Sequence, residues 1–286
     1  MNIEEKYAKL FFCRADRTVP GLRDRSLSEF SLSARPFSLR WQGLALNGFF
    51  YEGERPNGRL VVFAHGYGAG HEAYLTEINA LCEEGYEVCA FDYAGCVRSE
   101  GEMIGFHAAV SQMNEVLDEL ERRGKKEYDL VGHSWGGYVA ACCASRAKAA
   151  VSIGGFVKPS DVLTGLLGED PVPFLRTKFK QEGNRAVQAC STPVLAIQGD
   201  RDRTVPINQS LYASGLFNVV PFLAEGKEHN AYNSARAEAY LNEVLGKIPA
   251  LKEEEKEEFY ASIDYRRITE EDPLIMQTIF DFLKNA

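Results

Sequence analysis

Beyond residue 36 the chain alternates short apolar runs with longer amphipathic stretches. Residues 37–41 and 44–51, split by Gln42-Gly43, read as the two arms of an antiparallel hairpin. The runs at 60–64, 86–91, 129–131, 149–153, 193–197 and 219–223 are largely apolar and show little polar alternation. Strands of that kind are buried on both faces. Helical patterns fall among them at 73–84, 106–123 (closing at Gly124) and 138–147. Strands alternating with helices in this way predict an α/β fold: a doubly wound, mostly parallel sheet of about eight strands.

Two regions break the rhythm. Residues 154–190 lie between two core strands and are rich in Pro, Gly and charge, as in Lys158-Pro159 and Asp170-Pro171-Val172-Pro173. They read as a small lid insertion over the carboxyl edge of the sheet. The tail predicts helices at 233–246, 252–260 and 273–284. Its charge run from Lys252 to Glu258 reads as a solvated helix face. The chain thus divides into a polar N-terminal segment (1–36, with a short helix at 4–12), a core (37–245) and a helical C-terminal extension packed on it (246–286).

Composition narrows the class. With 45% hydrophobic and 26% charged residues, the 286-residue chain has the make-up of an ordinary globular protein. Its formal charge of −9 disfavours nucleic acid or an anionic membrane as the main partner. Leu10-Phe11-Phe12-Cys13 is too short for a signal-peptide core, and no stretch is long enough to span a bilayer. Seven scattered cysteines, an odd number, suit reduced thiols and a cytoplasmic setting. No cysteine or histidine spacing suits zinc, so neither a metal nor an organic cofactor is expected. A monomer and a homodimer are both compatible with the sequence.

Chemistry concentrates at Gly132-His133-Ser134-Trp135-Gly136-Gly137. This G-x-S-x-G stretch follows an apolar run and opens a small-residue helix, the context of a nucleophile elbow. Gly132 and Gly136 sit where a side chain would strike the neighbouring strand or helix. Ser134 needs a base, and the base needs an orienting acid. Of five histidines, His229 lies in the loop after the last predicted strand, beyond the carboxyl end of the sheet where ligands bind. His133 adjoins the serine, but neighbouring elbow residues point different ways. The acid comes from the loop after residues 194–198, which offers Asp200 and Asp202. Asp202 lies further into the loop, where it can reach His229, whereas Asp200 suits a turn or an ion pair to Arg201 or Arg203. An oxyanion needs two donors. The Trp135 N–H is one, and the Tyr67 N–H, in the glycine-rich run His65-Gly66-Tyr67-Gly68-Ala69-Gly70, is the other.

With these residues assembled, the chain resembles the α/β-hydrolase superfamily, and within it the carboxylesterases and cinnamoyl-type esterases. The order Ser134, Asp202, His229 matches, as do His65-Gly66-Tyr67-Gly68 (H-G-x-G) and the run from Gly199 to Pro206 (G-x-x-D-x-x-V-P), which favours Asp202. A D-x-x-G-x-G-x-S-x-G segment is partly present from Asp92 to Gly101, with Cys96 and Val97 replacing the usual residues. The resemblance implies an α/β-hydrolase fold over about residues 37–245. It also implies a serine hydrolase cleaving a small or medium ester through Ser134, His229 and Asp202. Phe156, Val157, Val162, Leu163, Leu166, Leu167, Phe174, Leu175 and Phe179 are candidate acyl-pocket walls, although packing the lid on the sheet is a sufficient role for most. Rival readings are a peptidase, a thioesterase docking its carrier through Lys178, Lys180 and Arg185, and a non-catalytic member that binds a ligand or partner. Ser134 at the nucleophile position disfavours a dehalogenase.

Overall fold

A computed structural model describes residues 1–16, 30 and 32–286. A hairpin opens the sheet: β1 (Ser33–Trp41) pairs antiparallel with β2 (Leu44–Glu52) in the register Trp41↔Leu44 to Ser33↔Glu52. Then come β3 (Leu60–Ala64), β4 (Glu87–Phe91), β5 (Tyr128–His133), β6 (Ala150–Ile153), β7 (Val194–Gly199) and β8 (Val219–Ala224). Their spatial order is β1-β2-β4-β3-β5-β6-β7-β8, and every pair from β4 to β8 is parallel. The crossover at β3 and β4 leaves β3 and β5 side by side, so the loop after Ala64 and the turn after His133 meet at one edge. Strands β3, β5, β6 and β7, largely apolar, are buried along their whole length.

Hydrophobic side chains fill both faces. On one, α3 (Phe106–Arg122) and α4 (Trp135–Cys143) pack with α1 (Ile3–Leu10) and with α5 (Pro159–Leu167) and α6 (Val172–Phe179) of the insertion. On the other lie α2 (Leu75–Glu83), α7 (Ala235–Lys247), α9 (Tyr265–Ile268) and α10 (Pro273–Asn285). Between α7 and α9 runs α8 (Glu253–Ser262), which carries the charge run and buries no residue. The polar bond from Thr76 to Thr269 (2.6 Å) and the pair Lys284–Glu84 (2.6 Å) tie the tail to α2.

Two element ends depart from the sequence pattern by four residues. β1 begins at Ser33, four residues before the predicted strand. Its first four residues lie on the sheet edge with neither face buried, so no apolar alternation marks them, and an edge tolerates Pro36. The helix after the elbow ends at Cys143 and continues only as a 3₁₀ turn, Ala144–Arg146.

Candidate active site

Ser134 lies between β5 and α4, as the helix N-cap, with φ 55° and ψ −114°, a left-handed conformation that costs a non-glycine residue energy. Two glycines permit it. A Cβ on Gly132 would lie 2.2 Å from the Gly136 carbonyl oxygen, and one on Gly136 would lie 1.9 Å from that of Ala64. The turn is thus wedged between the incoming strand, the outgoing helix and the neighbouring strand β3. The Ser134 N–H donates to the Ile153 carbonyl at 2.7 Å, which anchors the turn to β6.

The loop after β8 brings His229 to the serine, with Nε2 2.8 Å from Ser134 Oγ. Its Nδ1 lies 2.8 Å from Asp202 Oδ2, in the loop after β7. An ionised carboxylate only accepts, so Nδ1 carries the proton and Nε2 keeps a lone pair facing the hydroxyl. Asp202 is held from all sides: Oδ1 accepts from the Thr204 and Val205 N–H groups at 2.8 and 2.9 Å, and Oδ2 also accepts from Gln198 Nε2 at 2.9 Å. Burial pushes its carboxyl up, but the hydrogen bond and charge of His229, with the Val205 and Gln198 bonds, outweigh burial and hold it below the usual range. Asp200 is exposed and spends its N–H on the Ala224 carbonyl. Of the two aspartates, Asp202 is the one bonded to the imidazole.

The candidate oxyanion donors flank the serine. Trp135 N–H belongs to the first turn of α4, where N–H groups have no acceptor within the helix. Tyr67 lies in the loop after β3, and its ring faces the Trp135 indole at 5.7 Å. The Tyr67 hydroxyl donates to the Leu10 carbonyl. His65 shapes the same loop: its Nδ1 bonds to the Gly66 carbonyl at 2.8 Å and its Nε2 accepts from the Tyr93 N–H at 3.0 Å. Burial pushes His65 down to about 4, so it stays neutral.

Sequence reasoning set His133 aside, yet it joins two halves of the site. Its Nε2 is 3.1 Å from the His229 carbonyl oxygen and its Nδ1 is 3.0 Å from the Tyr74 hydroxyl, which accepts from the Gly66 N–H at 3.0 Å. The carbonyl can only accept, so Nε2 carries the proton and Tyr74 donates to Nδ1. Burial, reinforced by the charge of His229, pushes His133 down to about 3. No sequence signal marks Tyr74 or Gln198 for these roles, because each sits among ordinary helix or strand residues and meets its partner only in three dimensions.

The segment from Asp92 to Gly101 folds back under the site. Asp92 accepts from the His71 ring at 2.7 Å, and the other ring nitrogen of His71 meets the Tyr51 hydroxyl at 2.9 Å. Burial acts to raise the Asp92 carboxyl, but His71 and then His65 prevail and hold it down to about 2. At the two positions that depart from the usual motif, Cys96 is fully buried and Val97 takes φ 32°. Both pair through backbone with Ala15: Ala15 and Cys96 form a parallel bridge, and the Val97 N–H donates to the Ala15 carbonyl at 3.2 Å.

In the insertion, Phe156, Leu163, Leu167 and Leu175 are buried in the core, Val157, Val162, Phe174 and Phe179 are half-buried against it, and Leu166 points to solvent. Among the described residues, no group of three or more His, Cys, Asp or Glu side chains is placed to hold a metal ion. No helix there is long and apolar enough to cross a membrane.

Comparison with known proteins agrees with this architecture. The family model for the alpha/beta hydrolase fold matches residues 59–192, from β3 through the insertion. The Pyrococcus furiosus esterase Pf2001 superposes with a TM-score of 0.58 at 17% identity, over 84% of this chain and 96% of that one. Est1E from Butyrivibrio proteoclasticus, solved with ferulic acid bound, superposes at 0.54 and 19% identity, over 75% and 98%. Among curated proteins, the Caenorhabditis elegans abhydrolase domain-containing protein lid-1 is 30% identical over 96 residues, which span 32% of this chain and only 26% of that protein. The chain has the α/β-hydrolase fold, and residues 59–192 match that fold's family model. At these identities the structural likeness fixes the fold, and the reaction has to be argued from the site's own residues.

Proposed function

We propose that this protein is a serine hydrolase that cleaves small or medium carboxylic esters through an acyl-enzyme. The observation that carries the reading is the continuous chain Ser134 Oγ, His229 Nε2, His229 Nδ1, Asp202 Oδ2, with 2.8 Å at both links and the serine in a strained elbow. His229 takes the Ser134 proton as the oxygen attacks the ester carbonyl. The resulting oxyanion is met by the Trp135 N–H and the Tyr67 N–H. Asp202 fixes the imidazole tautomer and stabilises the imidazolium. His229 then protonates the leaving alcohol, and water activated by the same base releases the acid.

The solved neighbour named an esterase, Pf2001, and the ferulic acid bound to Est1E support an ester over other acyl donors. A thioesterase with a basic carrier-docking patch is less well supported. Lys178 pairs with Glu4 at 2.8 Å and Arg185 with Glu182 at 3.5 Å, so two of the three candidate cations are engaged within the chain.

The test is hydrolysis of p-nitrophenyl esters from acetate to octanoate, together with methyl ferulate, by wild type and Ser134→Ala. The variant should keep its fold and lose about 10⁶-fold in turnover, as in a comparable triad. A fluorophosphonate should label wild type and spare the variant. Equal turnover by both proteins would remove the reading.

A further inference from the structure

The N-terminal segment is latched from Glu4 to Ala15 onto the insertion and onto the loop from Gly95 to Met103. Helix α1 is capped by Asn2, whose side chain accepts from the Glu5 N–H at 2.9 Å while Glu5 reaches back to the Asn2 N–H. Toward the insertion, Lys6 pairs with Glu169 at 2.7 Å and donates to the Leu167 carbonyl at 2.9 Å, and Glu4 takes Lys178. Past the helix, backbone bonds run in both directions: Phe12 N–H to the Met103 carbonyl at 2.6 Å, Met103 N–H to the Cys13 carbonyl at 3.0 Å, and Ala15 N–H to the Gly95 carbonyl at 2.8 Å. Arg14 adds donor contacts to the carbonyls of Val97, Ser99 and Gly101.

These latches place Phe11 against the site. Its side chain is 1% exposed. Its ring lies 5.5 Å from that of Tyr67, 6.2 Å from Trp135 and 5.3 Å from Phe106. Tyr67 and Trp135 supply the two candidate oxyanion donors, and the Phe11 ring packs directly behind their side chains. Tyr7 backs that ring at 4.7 Å and fixes its own hydroxyl on the Ile104 carbonyl at 2.9 Å. The loop that carries Cys96 and Val97 is occupied by pairing with Ala15.

We propose that residues 1–16 back a wall of the substrate site and that Phe11, packed behind Tyr67 and Trp135, limits the size of the ester it accepts. The proposal rests on the serine-hydrolase reading above and adds the substrate class: short, compact esters in preference to long-chain ones. The physical basis is steric. A buried ring locked between aromatic neighbours cannot swing aside without breaking the latches. Trimming it to alanine opens a space that a longer apolar chain can fill, and pocket size discriminates at about 10–200-fold per methylene-sized change.

The experiment compares kcat/KM for p-nitrophenyl acetate and octanoate in wild type, Phe11→Ala and Phe11→Leu. The octanoate-to-acetate ratio should rise at least tenfold in Phe11→Ala (order of magnitude from pocket discrimination), with an intermediate rise in Phe11→Leu. If Phe11→Ala does not fold, the leucine variant alone carries the test, with a rise in the ratio expected. A ratio unchanged in a folded variant, or a uniform loss on both esters, overturns the wall and leaves Phe11 as core packing. Fluorophosphonate labelling separates the two claims. A labelled enzyme with an unchanged ratio refutes the wall alone, whereas an unlabelled, inert wild type refutes the hydrolase reading on which the wall depends.

Discussion

His133 holds the backbone of His229 by a bond from its ring Nε2 to the His229 carbonyl oxygen at 3.1 Å, and the two rings lie 4.9 Å apart. The residue before the candidate nucleophile Ser134 therefore holds the loop that carries His229. Through Tyr74 it also reaches the Gly66 N–H, at the start of the loop that carries Tyr67.

Replacing His133 with Phe should lower kcat about 10–100-fold while leaving KM little changed, because a small displacement of a catalytic base is costly to rate. Labelling of Ser134 by a fluorophosphonate should slow in parallel. Tyr74→Phe keeps the ring and loses only the hydroxyl, so its effect should be smaller and in the same direction. A large rise in KM with unchanged kcat in His133→Phe would show that the residue acts on substrate binding instead.

The two aspartates of the loop after β7 should separate cleanly. Asp202→Asn leaves the geometry but favours the wrong imidazole tautomer, and the corresponding change in a triad costs about 10⁴-fold in kcat. Asp200→Asn touches an exposed side chain. It should retain activity within about twofold, since surface changes of this kind rarely reach ±0.5 kcal/mol. Steady-state kinetics on one ester decides between them.

Gly136 should tolerate no side chain. The clash predicted for a Cβ is with backbone, the Ala64 carbonyl at 1.9 Å and the His65 carbonyl at 2.8 Å, so no rotamer change relieves it. Gly136→Ala should lose stability at the upper end of the ~1–3 kcal/mol typical of overpacking, or fail to fold. Denaturant unfolding measures it. Gly246→Ala, where nothing lies within 4 Å of the added atom, is the matched control.

Glu77 gives a pH signature independent of catalysis. It is buried on α2, beside Tyr74 and Tyr232, with no hydrogen-bond partner for either carboxylate oxygen among the described residues. Burial pushes its pKa from 4.5 up to about 8. The folded protein thus keeps a proton that the unfolded chain has lost. The stability from that difference is complete below the unfolded value and is lost as pH rises through the folded one. Glu77→Gln cannot ionise. The Tm of wild type should fall relative to Glu77→Gln as pH rises from about 5 to about 8, and the gap should then level off. A gap constant across that range would show that Glu77 is not protonated in the fold.

Much of this was legible along the chain, for local reasons. Strands β3, β5, β6 and β7 are buried throughout because helices cover both sheet faces, and that burial is written into their largely apolar runs. Gly132 and Gly136 bracket Ser134 because the elbow is a local backbone problem, and the charge run of α8 reads as solvated because none of its residues is buried. The ends of elements were less legible. β1 gains four residues from edge hydrogen bonding that leaves no hydrophobic trace.

What the sequence alone determined was the order of elements and the residue types available for chemistry: a serine at a strained turn, histidines and aspartates in loops beyond strand ends. What only the tertiary structure decided was which of them meet. Asp202 rather than Asp200 bonds His229 because the Thr204 and Val205 N–H groups fix its carboxylate toward the loop after β8. His133 and Tyr74 couple loops separated by more than 60 residues only once β3 and β5 lie side by side. Phe11, in a segment whose sequence reads as polar and irregular, comes to lie against Tyr67 and Trp135 through ion pairs and backbone bonds between distant parts of the chain. Local pattern records what a residue must avoid or bury, whereas long-range pairing depends on chain closure that no single window of sequence contains.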